Sequence, residues 1–110
     1  MIRTAVTLGV FVALAQVAAP SGDAKNGRKL FVADGCYQCH GTVGQGGVGP
    51  RLTAPPIALP TLNAIVRKGV RGMPPYGPKV LSDAELGDIH AYLETIPAPP
   101  PAKSIALLNQ

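Results

Sequence analysis

The chain has 110 residues, of which 46% are hydrophobic but only 5% aromatic, with no tryptophan and a net charge of +4. That length accommodates one domain, and so few aromatics exclude the basic, ring-studded surface of a nucleic-acid binder. A small chain this poor in rings has a thin core of its own, so something besides side chains is expected at its centre.

Residues 1–19 read differently from the rest. Arg3 supplies a positive start, an apolar run from Ala5 to Ala19 follows, and Ala13, Ala15, Ala18 and Ala19 crowd its end. This is the layout of a secretory signal peptide, and the run is short for a membrane span. The alternative is an uncleaved anchor that tethers the protein to a membrane. Cleavage after Ala15, Ala19 or Ser21 fits equally, and the loss of Arg3 lowers the net charge from +4 to +3. A periplasmic location follows for the mature chain. Residues 22–97 are then the domain, and 98–110 form a Pro-rich C-terminal tail.

A helical pattern runs from Asp23 to Asp34, with Ala24, Gly27, Leu30 and Phe31 on one face, Asp23 as N-cap and Gly35 as terminator. Residues 41–60 are rich in Gly and Pro and read as loop. A short helix is predicted over Thr61–Lys68, with Leu62, Ile65 and Val66 on its apolar face and Gly69 ending it. After a second Pro/Gly loop, Ser82 and Glu85 form a capping box, and Leu86, Ile89, Tyr92, Leu93 and Ile96 make a stripe that ends at Pro97. The tail, with Pro99, Pro100 and Pro101, is expected to be extended or frayed. No internal repeat and no strand is expected, so the fold class is all-α.

Cys36-Tyr37-Gln38-Cys39-His40 carries the chemistry. Cys-x-x-Cys-His is the attachment spacing of a c-type haem: each thiol adds to one vinyl group, and the adjoining imidazole reaches the iron from below. Three other readings compete. A thioredoxin-like pair needs a preceding strand and an αβ pattern. A zinc site needs a second ligand pair, and His90 is the one remaining histidine. A plain disulfide leaves His40 and the glycines around it without a purpose.

Over residues 22–96 the chain resembles a class I, single-haem bacterial cytochrome c. The resemblance rests on Cys36–His40, on Gly49-Pro50-Arg51-Leu52, on Gly72-Met73-Pro74-Pro75-Tyr76, and on Leu81–Leu86 with Ala91-Tyr92-Leu93. It implies three main helices with Pro/Gly-rich loops around one covalent haem c and its iron, the N- and C-terminal helices crossing. It also implies that Pro50 offers its carbonyl to the second nitrogen of His40, that Leu52 packs on the haem face, and that Gly27 meets Tyr92 at the crossing. Burying about 500 Å² of apolar porphyrin would contribute roughly 12 kcal/mol as an upper figure, which answers the thin core.

The sixth iron ligand lies between Met73, the one methionine left after removal of Met1, and His90. Met73 stands in a loop stiffened by Pro74, Pro75 and Pro78, as a weak thioether ligand requires. The resemblance also places the axial methionine there, and His90 reads as a partly exposed surface residue. Tyr76 either reaches a haem propionate or closes the pocket edge. Arg67, Lys68, Arg71 and Lys79 bracket Met73 as a basic rim, against Asp83, Glu85, Asp88 and Glu94 on the last helix. The expected function is periplasmic electron transfer, not enzymatic catalysis, as a free shuttle or as the cytochrome subunit of a dehydrogenase or oxidase. Its partners would be redox proteins, the donor and the acceptor. The alternative is a haem enzyme or gas sensor with an open sixth position.

Overall fold

A computed structural model describes residues 22–110; the signal or anchor expected over 1–19 lies outside the described residues. Four helices follow in order: α1 (Ala24–Ala33), α2 (Cys36–His40), α3 (Leu59–Lys68) and α4 (Asp83–Glu94). Among the described residues there is no strand, and Val70 and Met73 form an isolated bridge.

Helix α1 begins where its cap dictates: the Asp23 carboxylate accepts from the amides of Lys25 and Asn26. Gly27 and Phe31 are buried, and Ala24 and Leu30 pack partly against the core. Helix α4 opens on the capping box, with Glu85 N donating to Ser82 Oγ at 3.2 Å and Ser82 N donating to Glu85 Oε2 at 2.8 Å. It ends at Glu94, two residues before Ile96, because the Thr95 hydroxyl donates to Tyr92 O at 2.6 Å and closes the last turn. Helix α3 starts at Leu59, before the expected Thr61. Pro60 had read as loop, yet proline suits a first helical turn, where its missing N–H has no partner to lose.

The core consists of Phe31, Leu62, Val66, Leu81, Leu86, Ile89, Tyr92 and Leu93. Its main joint is the crossing of α1 and α4. A Cβ on Gly27 would lie 1.9 Å from Asp88 O, so the two backbones touch there. Beside this point the rings of Phe31 and Tyr92 pack at 5.6 Å, tilted by 58°. The Asp88 carboxylate spans the joint, accepting from Asp23 N at 2.7 Å and Asn26 Nδ2 at 2.8 Å. Those bonds hold its pKa below the ordinary carboxylate value, Asn26 contributing most.

After α3 the chain reverses through Val70-Arg71-Gly72-Met73, with Met73 N donating to Val70 O at 2.8 Å. Arg71 and Gly72 have φ of 47° and 88°, the signature of a mirror-image hairpin turn, which favours Asn-Gly. The tail departs from its expected form. Past Pro101 it winds into two 3-10 turns, Ala102–Ser104 and Ala106–Leu108. The Ser104 hydroxyl donates to Pro101 O and the Asn109 amide to Lys103 O and Ile105 O, so local side chains satisfy carbonyls that a frayed end would leave to water.

Three outcomes follow. Gly27→Ala should lower stability by about 2 kcal/mol in thermal unfolding of the haem-loaded protein, since overpacked backbone contacts cost about 1–3 kcal/mol and outweigh alanine's better helix propensity. Arg71→Asn should raise stability by up to about 1 kcal/mol by relieving a positive φ, seen as a higher unfolding midpoint. The lowered pKa of Asp88 gives stability that is present above its unfolded value and lost as pH falls through the folded one. Stability should therefore decline below about pH 4, and Asp88→Asn should flatten that decline in unfolding midpoints measured across the acid range.

Candidate haem-attachment site

Gly35, at φ 77°, turns the chain out of α1 and straight into α2. This single turn is too short to show periodicity, so the sequence displays its motif and not its helix. It places Cys36 half-buried, Cys39 exposed and His40 buried, with no disulfide between the thiols. Gly46 N donates to His40 O at 2.7 Å and Gly49 N to Cys39 O at 2.8 Å, lacing the following loop onto the turn.

His40 Nδ1 lies 2.8 Å from Pro50 O. A carbonyl only accepts, so Nδ1 carries the proton and Nε2 keeps its lone pair for a metal. The ring rests against Gly49, where a Cβ would come within 2.8 Å of Cε1 and 2.9 Å of Nδ1. A glycine here is thus a cradle for the imidazole. Leu52, two residues past Pro50, packs partly buried against the core, as do Cys36, Met73 and Tyr76. Met73 also ends the Val70–Met73 turn.

Tyr76 is the fastening of this loop. Its amide donates to Val66 O and its hydroxyl to Asp34 O, each at 2.8 Å, while Arg67 Nη1 donates to its carbonyl at 2.9 Å. In the structure the Tyr76 hydroxyl is therefore committed to the end of α1. Arg67 also pairs with Asp83, so it ties α3 to the start of α4 and the basic rim keeps Lys68, Arg71 and Lys79. Neither tie had a signal in the sequence, because the partners stand 9 to 42 residues apart. His90 stays apart from Met73: its Nε2 lies 3.0 Å from Ile57 O and its Nδ1 3.8 Å from Glu94 Oε2.

The surroundings of Cys36 disfavour added negative charge. Burial, and then the charge of Asp34, pushes the Cys36 thiol up to about 11. Asp34 itself is raised by burial and by Glu85, and its Oδ2 is buried without a hydrogen-bond partner. A disulfide-exchange pair needs a low-pKa thiolate, and Cys36 is the reverse. Among the described residues no three His, Cys, Asp or Glu side chains gather as metal-ion ligands.

Comparison with curated proteins and with solved structures gives no match. A family model does match, that of "Cytochrome C oxidase, cbb3-type, subunit III", over residues 22–93. That stretch contains all four helices but for the last residue of α4, together with the loop after the Cys36–His40 turn and the Met73 loop between α3 and α4. Such a domain carries haem c and its iron covalently and transfers electrons as a carrier or carrier subunit, without itself being an enzyme. The chain belongs to this cytochrome family and is a class I, single-haem c-type cytochrome of all-α fold.

Proposed function

We propose that the chain is a periplasmic single-electron carrier whose haem is bound through Cys36 and Cys39, with His40 and Met73 as iron ligands. The observation that carries this reading is the 2.8 Å contact of His40 Nδ1 with Pro50 O, which sets the tautomer a proximal ligand needs. When bound, the iron supplies the one-electron couple. The chain's own residues do the remainder. Pro50 holds the imidazole, Gly49 lets it lie flat, and Leu52 offers an apolar side chain on the same flank.

As the second ligand of this proposal, Met73 has its loop ordered in advance. The turn behind it and the three hydrogen bonds at Tyr76 ahead of it remove the freedom that a weak thioether bond would otherwise have to offset. His/Met ligation and burial both favour the ferrous state, so the carrier is of fairly high potential. An open sixth position, as in a haem enzyme or gas sensor, needs a loop free to swing, and those same bonds oppose it.

Lys68, Arg71 and Lys79 are exposed around the Met73 loop and are suited to steering an acidic redox protein in a brief encounter. A free shuttle and the cytochrome subunit of a dehydrogenase or oxidase both fit this surface. The N-terminal apolar run supports export, and a retained anchor would favour the subunit.

Met73→Ala should abolish the weak far-red band of a ferric iron–sulfur bond and open the iron to carbon monoxide at neutral pH. An unchanged far-red band would rule Met73 out as ligand. In the same preparation, denatured protein should keep the mass of a haem, and Cys36→Ala with Cys39→Ala together should lose it.

A further inference from the structure

The outward face of α1 carries charges for which the fold has no use. Lys25, Arg28 and Lys29 stand at i, i+3 and i+4, with Val32 following on the same face. All four are exposed and line a shallow depression of about 290 Å³ that has no acidic side chain in its wall. Among the described residues the ion pairs are Arg67–Asp83 and His90–Glu94, so none of the three cations is paired. The neighbouring acids are engaged elsewhere: Asp23 caps α1, Asp88 bridges α1 to α4, and Asp34 is turned inward.

The placement is also locally unfavourable. Lys25 sits in the first turn, at the positive end of the helix dipole, and repels Lys29 one turn on. A sequence that keeps like charges where the helix itself disfavours them points to an external counter-charge.

We infer that this stripe is a docking surface for the anionic headgroups of a membrane. Where the N-terminal run is retained as an anchor, position argues for lipid: the first cation follows closely on Ala19, where that run ends. Its make-up argues the same way. The stripe has no aromatic or methionine and only Val32 as an apolar contact, and a headgroup layer asks only for charge. The docking rests on α1 alone and is independent of how the iron is ligated.

The test uses the full-length, haem-loaded protein with vesicles of phosphatidylcholine, with and without phosphatidylglycerol. Wild type should partition more strongly onto the anionic vesicles, and salt should remove the difference. Lys25→Gln, Arg28→Gln and Lys29→Gln together should cut that binding about a hundredfold, near fivefold for each cation lost, with the haem spectrum unchanged. A matched triple, Lys68→Gln, Arg71→Gln and Lys79→Gln, should retain it. Equal partition onto neutral vesicles, undiminished binding by the α1 triple, or an equal loss in the matched triple would each overturn the inference. So would an α1 triple that loses affinity for polyglutamate but not for vesicles, which would mark the stripe as a site for an acidic protein.

Discussion

The contact of α1 with α4 at Gly27 and Asp88 is the constraint on which the rest of the molecule depends. Two helix backbones meet with no side chain between them, and the aromatic pair Phe31 and Tyr92 fills the space beside the joint. Between the end of α1 and the start of α4 the chain contains just two helices, α2 and α3, of five and ten residues. Everything else in that span is loop, and it needs a frame from which to hang.

The hanging follows one rule. A helix side chain reaches out to a loop carbonyl, as His40 to Pro50, His90 to Ile57, Tyr92 to Thr42 and Arg67 to Tyr76, or a loop side chain reaches back to a helix end, as Tyr76 to Asp34. Each such bond satisfies a backbone acceptor and at the same time sets the path of an irregular segment. One of these segments carries the candidate ligand Met73, and another, at Pro50, holds the ring of the candidate ligand His40. The geometry of the site is thus inherited from the helix pair through a few polar ties, with little contribution from regular structure near the cofactor.

Charge is distributed to match. In the corner holding Cys36, Asp34 and Glu85 the thiol and the Asp34 carboxyl are both pushed toward their neutral forms. The cations are kept outside. Arg67 is the exception, since pairing with Asp83 and bonding to Tyr76 turn it into a brace. Lys68, Arg71 and Lys79 around the ligand loop and Lys25, Arg28 and Lys29 along α1 remain in solvent. These are two separate cationic surfaces, which suits a carrier that has more than one neighbour.

Legible in the residues alone is whatever is encoded within about one helical turn: the Cys36–His40 spacing, the Asp23 cap, the Ser82–Glu85 capping box and the loops rich in Pro and Gly. Those signals work because their partners are four residues apart or fewer, so neighbouring residue types suffice to specify the interaction. Helix α2 has no signature because five residues hold no repeat, and the start of α3 is ambiguous because Pro60 signals a loop and a helix start equally well. The tertiary structure decided the rest. It gave Tyr76 to Asp34, withdrew Arg67 from the surface and wound the tail into turns. It also brought Asp23, Asn26 and Asp88 together across more than sixty residues. A hydrogen bond between residues so distant depends on where the crossing of α1 and α4 carries them, and that position is a property of the packed chain, written in no local run of residues.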